Sequence, residues 1–212
     1  MTSTMELRCT LLSDGSSDQA LVPILRWLLR QYIPLAINFQ WAELRHLPKP
    51  PKSLPDRIRI TLDLYPCDLL FVHRDAEGAS YENRLSEIRQ ALRAATVTPP
   101  AVCVVPVRMR EAWLLIDENA IRHAAGNPNG RQHLEMPPLA GLEELPDPKE
   151  ILHSLLRQAS GLQGRRLKKF LVHQHARLVA ERIRDFCPLR ELSAFRALED
   201  HTRQTVIDQG WT

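Results

Sequence analysis

The order of apolar runs predicts an α/β protein: a mostly parallel sheet flanked by helices, with an all-helical C-terminal extension. Three observations carry that expectation. Over residues 1–126 short apolar runs alternate with segments of helical spacing, an order that favours parallel strands joined by crossover helices. Two of the runs, Asp68 to His73 (DLLFVH) and Ala101 to Val107 (AVCVVPV), are almost continuously apolar, as strands buried on both faces are. Beyond residue 146 the spacing is helical throughout.

The elements follow in order. Glu6 to Leu12 (ELRCTLL) reads as a strand that ends at the turn cluster Ser13-Asp14-Gly15-Ser16. Ser17 to Gln31 carries Leu21, Ile24, Leu25, Leu28 and Leu29 at helical spacing, and Ser16 with Gln19 has the form of a capping box. Ile37, Phe39 and Trp41 alternate with polar residues as a second strand does, before the proline-rich loop Leu47 to Pro55. Pro55 to Tyr65 is a second helix with Ser53 as its cap, and the strand Asp68 to His73 leads into the loop Arg74 to Ala79. Ser80 to Ala95 is an amphipathic helix. Pro106 places the strand Ala101 to Val107 at an edge or marks its end. Met109 to Ala125 reads as one helix closed by Gly126. Residues 127–146 form a loop without periodicity. In the extension, 147–212, Asp147 caps and Pro148 opens a helix reaching Ala159, and two further helices cover Arg165 to Phe186 and Leu189 to Asp208.

Composition narrows the function classes. With 44% hydrophobic and 25% charged residues the chain has ordinary globular usage, which excludes disorder over most of its length. No apolar run approaches the ~18–20 residues of a membrane span, and Met1 to Leu7 lacks the form of a signal peptide, so a cytoplasmic location and no membrane partner are expected. Cys9, Cys67, Cys103 and Cys187 stand singly among apolar neighbours and read as small buried hydrophobes. The net charge of +3 divides unevenly: residues 1–150 hold 17 basic and 19 acidic side chains, residues 151–212 hold 11 and 6. A basic tail and an acid-leaning α/β part suggest different tasks for the two.

Open parallel sheets bind ligands where the loops leave the carboxyl ends of the strands. That rule selects Asp14 after the first strand, Asp75 and Glu77 after the third, and Glu111 after the fourth. Carboxylates gathered at one edge repel, and a hard divalent cation such as Mg²⁺ or Mn²⁺ relieves the repulsion. Asp18 and His73 adjoin the same edge; Asp18 reads as a metal helper or a helix cap, His73 as a phosphate ligand, an orienter of Asp75 or a structural histidine. Arg108 and Arg110 flank Glu111, and Arg165, Arg166, Lys168 and Lys169 form the densest basic run; both sets suit phosphate contacts, and the run suits a solvated helix face equally. His173 and His175 diverge on a helix and read as solvated or capping residues, and Trp113 as core. P-loop, nucleophile-elbow and H-E-x-x-H motifs do not occur.

These residues carry a resemblance. A strand followed by D-G-S-S-D and a helix, with a later buried strand followed by H-R-D-A-E-G, resembles the Toprim arrangement. The chain is more closely similar to a bacterial Toprim-related group, domain-of-unknown-function family 4276, with its H-R-D-x-D segment, its E-x-W-L-L-x-D stretch (Glu111, Trp113, Leu114, Leu115, Asp117) and its D-P-K segment (Asp147, Pro148, Lys149). The resemblance spans Glu6 to about Thr202. Asp14 stands where Toprim proteins have Glu, and Glu77 where they have a second Asp. It implies a Toprim-like fold and a Mg²⁺- or Mn²⁺-dependent phosphodiester hydrolase acting on DNA or RNA, in phage defence or repair. In that reading Asp14, Asp75 and Glu77 are the metal ligands, and Asp14 or Glu111 serves as a further ligand or base. The departures at Asp14 and Glu77 keep a second reading open, a catalytically silent module that binds nucleic acid or protein. Small-molecule phosphotransfer at the same acids is a third, and a homodimer or partner protein stays open with them.

Overall fold

The computed structural model describes residues 6–76, 80–107 and 109–212. Four strands, β1 (Glu6–Leu12), β2 (Ala36–Trp41), β3 (Leu69–His73) and β4 (Ala101–Val104), form one all-parallel sheet in the order β2-β1-β3-β4. Helix α1 (Leu21–Arg30) follows β1, α2 (Leu54–Leu64) follows β2 and α3 (Tyr81–Ala95) follows β3. The expected α/β architecture is therefore present, and β4 is an edge strand that ends at Val104, before Pro106, rather than at Val107.

Side-chain alternation on the strands builds two cores, because successive residues of a strand face opposite sides of the sheet. Leu69 and Phe71 of β3 join the core that contains α1, while Leu70 and Val72 join the core under α2 and α3. The first core continues into the helical extension. Helix α4 (Glu118–Ala124) precedes it, and in the extension α5 (Pro148–Ala159), α6 (Gly164–Lys168), α7 (Val172–Arg182) and α8 (Ser193–Asp208) follow one another. Trp113 packs edge-on against Phe195 of α8 at 5.5 Å, and Trp27 of α1 against Phe186 at 5.9 Å. Trp113 is 1% exposed, a core residue as expected.

Local chemistry explains the boundaries. Ser53, Ser80 and Asp147 each accept a hydrogen bond from the backbone N–H three residues on, at the starts of α2, α3 and α5, satisfying donors that a helix start leaves unpaired. Gly126 has φ +79° just past α4, a left-handed conformation that favours glycine.

Several expectations need correction. Ser16 and Gln19 do not cap the first helical segment; the Gly15 N–H donates to Asp18 Oδ2 at 2.8 Å, and a 3-10 turn over Ser16–Ala20 precedes α1. Met109 to Ala125 is not one helix but a 3-10 turn, Arg110–Leu114, and then α4, whose start is capped by Asp117 accepting from the Ala120 N–H. Arg165 to Phe186 is likewise divided, into α6 and α7, and a 3-10 turn over Cys187–Glu191 precedes α8. The segment 127–146 contains a 3-10 turn at Leu139–Glu144. Cys9 and Cys103 are buried, Cys67 is half-buried, and Cys187 is exposed rather than buried. Among the described residues no helix is long and apolar enough to cross a membrane.

Candidate functional site

The strand order puts a topological switch point between β1 and β3. The chain leaves β1 through α1 on one face toward β2, and leaves β3 through α3 on the other face toward β4. The loops after these two strands diverge and open a crevice, the place where α/β sheets bind ligands. A cleft of ≈ 290 Å³ lies there, lined by Asp14, Asp18, His73, Asp75, Arg110 and Glu111 among others.

Three side chains meet in it. One ligand atom each from Asp18, His73 and Asp75 lies within 4.8 Å of the others. Asp18 comes from the turn after β1, His73 is the last residue of β3, and Asp75 follows it by two. His73 is 2% exposed and its Nδ1 lies 2.9 Å from the carbonyl oxygen of Val104 on β4. A carbonyl only accepts, so Nδ1 carries a proton, and Nε2 faces Asp75 Oδ1 at 3.5 Å. Burial raises the Asp75 carboxyl above the usual carboxylate range; nearby His73 and Arg110 oppose the shift, and Asp18 and Glu111 add to it.

Arg110 is the hub of the cluster. Its Nη1 donates to Asp18 Oδ1 at 2.5 Å and lies 3.5 Å from Asp75 Oδ2. Its Nη2 donates to Glu111 Oε1 at 2.7 Å, and its backbone N–H to Asp75 Oδ1 at 3.2 Å. Arg110, Asp18 and Glu111 are all buried. One guanidinium thus touches three carboxylates, and the cleft holds more acid than base among these four groups.

The structure brings some of the candidate residues together and separates others. Asp75, Glu111, Asp18, His73 and Arg110 share the cleft. Asp14 borders it, but its carboxylate is engaged by Arg57 and by Arg74 Nε at 2.8 Å, and it stands outside the three-residue ligand group. Glu77 and Arg108 lie outside the described residues. Arg165, Arg166, Lys168 and Lys169 are exposed on and just after α6, and none of them lines this cleft. Arg110, expected to contact phosphate, is largely occupied by carboxylates.

Two residues here were not expected at the site from the sequence, Lys149 having been named only within the D-P-K segment and His153 not at all. Lys149 lines the cleft from the first turn of α5, more than 70 residues after Asp75. His153 follows it by one helical turn and lines an adjoining hollow with it. Their i, i+4 spacing put them on one helix face, but only the docking of α5 on the turn Arg110–Leu114 carries that face to the sheet edge. No family model, curated protein or solved structure matches the chain.

Proposed function

We propose that the chain is a divalent-metal-dependent phosphodiester hydrolase acting on DNA or RNA. The observation that carries this reading is the meeting of Asp18, His73 and Asp75 at the switch point of the sheet, with cationic Arg110 and Lys149 beside them. Two carboxylates and one imidazole are a donor set that a first-row divalent ion accepts, and the imidazole favours Mn²⁺ over the all-oxygen preference of Mg²⁺. A bound ion would supply Lewis acidity and a water of lowered pKa.

The chain's own residues have separable tasks. Asp18, Asp75 and Nε2 of His73 would hold the ion, with the ring orientation set by the Val104 carbonyl. Lys149 draws the phosphate into the cleft, and Arg110 neutralises charge as it develops. Glu111, with one oxygen held by Arg110, keeps that guanidinium in place. The resemblance to Toprim-related proteins points the same way, and the exposed run Arg165, Arg166, Lys168 and Lys169 supplies phosphate contacts farther along a polynucleotide.

The test pairs Mn²⁺ and Mg²⁺ titration by calorimetry with cleavage of labelled DNA and RNA, using the wild type and Asp75→Asn. Metal binding and metal-dependent cleavage by the wild type, both lost in the variant, are expected. Equal cleavage by both proteins, or none with either metal, overturns the reading. One observation favours the alternative of a catalytically silent binding module: Arg110 already provides these acids with a cation. Nucleic-acid binding with a steep salt dependence and no metal uptake would establish that alternative.

A further inference from the structure

Next to the acid cleft lies a second hollow of ≈ 220 Å³, and Ser17, Arg110, Glu111 and Lys149 line both. Beyond those shared residues its character changes. His153 from α5 and His173 and Arg177 from α7 complete its polar lining among the described residues, and Glu111 is the one acid among them, already bonded through Oε1 to Arg110. Lys149 pairs with no carboxylate among the described residues. Among the described residues Arg177 donates only to a neutral group, the Ser16 hydroxyl, at 3.0 Å.

The floor gives a second, independent sign of a ligand. His153 is 4% exposed and packs edge-on against His173 with ring centroids 4.7 Å apart, yet neither of its ring nitrogens has a hydrogen-bond partner among the described residues. Neither ring nitrogen is among the fully enclosed atoms, so the imidazole edge stays open to the hollow it lines, where a ligand atom can reach it. Burial, and then His173, hold the His153 imidazole below its usual range, so the positive charge here comes from Lys149, Arg177 and the shared Arg110.

We propose that this hollow is a phosphate-binding subsite, in which Lys149 and Arg177 at the rim and His153 at the floor hold a phosphate group. Where the hydrolase reading also holds, and resting on it, the group is the phosphate next to the scissile one, and the substrate carries at least two phosphates. The sheet edge then holds the reacting group, and the helical extension sets the class of molecule admitted. This assigns the extension a binding role beside the cleft, separate from that of the exposed basic run on and just after α6.

The probe is inorganic phosphate, titrated into the full chain with no added metal. Calorimetry reads binding, and NMR follows the imidazole C–H signals of His153 and His173. Saturable binding that shifts both signals is expected. Lys149→Gln and Arg177→Gln should each weaken it about tenfold, the scale of one lost charge-assisted contact. Arg177→Gln also loses the bond to Ser16, so Lys149→Gln, which breaks no ion pair among the described residues, keeps the test decisive. No saturable shift, or affinities in both variants equal to wild type, overturns the subsite.

Competition then separates the sources of the phosphate. Displacement by a short single-stranded oligonucleotide assigns it to a polynucleotide, and displacement by a nucleoside monophosphate alone assigns it to a free nucleotide. Displacement by neither overturns its role in holding a substrate. Because no metal is added and no cleavage is read, failure of the hydrolase reading would leave a positive result standing. A negative result here would equally leave the metal titration untouched.

Discussion

Two of the places where arginine meets a buried or half-buried carboxylate are built in opposite ways. At the junction of α1 and α8, Glu199 is one acid with two donors. Arg190 reaches it through Nε at 3.0 Å and Nη2 at 2.7 Å, and the Tyr32 hydroxyl donates at 2.7 Å. Desolvation pushes the Glu199 carboxyl up, but the hydrogen bonds from Arg190 and Tyr32 outweigh it and hold the group below its usual range. At the sheet edge the ratio is inverted: Asp18, Asp75 and Glu111 share Arg110, and Asp75 is held above its usual range, first by desolvation. The difference teaches how to tell a structural ion pair from a prepared site. Donors in excess lock a helix junction, whereas acids in excess leave a demand for positive charge that a cation from outside can meet.

The largest way to break this contrast is Arg110→Gln. Removing one partner of a buried charge cluster leaves the others uncompensated, at a cost of about 3 kcal/mol, and here three carboxylates depend on that side chain. Urea denaturation in EDTA should show the loss. Mn²⁺ should restore much of it in this variant by taking over the neutralising role. An Arg110→Gln protein as stable as wild type in EDTA would show that the cluster does not depend on its guanidinium.

How much of this was legible beforehand differs between the same two regions. Leu69–His73 was readable as a strand buried on both faces from its apolar run, and Ser53 and Asp147 were readable as caps because capping is local chemistry. Asp75 followed from the rule for strand ends, since it needs only the strand boundary. The role of Arg110 was not legible: its partner Asp18 is 92 residues away, and helical spacing over Met109 to Ala125 concealed the tight turn that aims the guanidinium inward. Asp117 did carry a signal for that break, an acid placed to cap α4. Nothing local pairs Glu199 with Tyr32, which lies 167 residues before it.

A smaller effect sharpens the donor-rich side. Glu199→Gln removes the charge and keeps the shape, and should cost about 1 kcal/mol at pH 7, discounted because Arg190 is 40% exposed. The sign with pH follows from the lowered carboxyl. Glu199 binds its proton more weakly folded than unfolded, so its contribution is present above the ordinary glutamate range and is lost as pH falls through its folded value. Stability curves of wild type and variant should therefore converge in acid. Curves that stay parallel down to the lowest pH would remove Glu199 from the account.

Asp75→Asn should give the smallest change, and one of opposite sign. Because its carboxyl is raised, folded Asp75 binds a proton more tightly than the unfolded chain does, so ionising it costs stability as pH climbs from about 3.9, the unfolded value, through the folded one. The amide carries no charge, and its oxygen can still accept from the Arg110 N–H that now reaches Oδ1. The variant should therefore be more stable than wild type at pH 7 by up to about 1 kcal/mol, with the advantage vanishing near pH 3.9. Added Mn²⁺ should reverse the order, since only the wild type keeps both carboxylates of the proposed metal site, and binding to the folded state alone stabilises it by mass action. A variant less stable than wild type at neutral pH in EDTA would mean that Arg110 and His73 fully compensate Asp75. The sheet edge would then be a structural ion cluster of the same kind as the Glu199 junction.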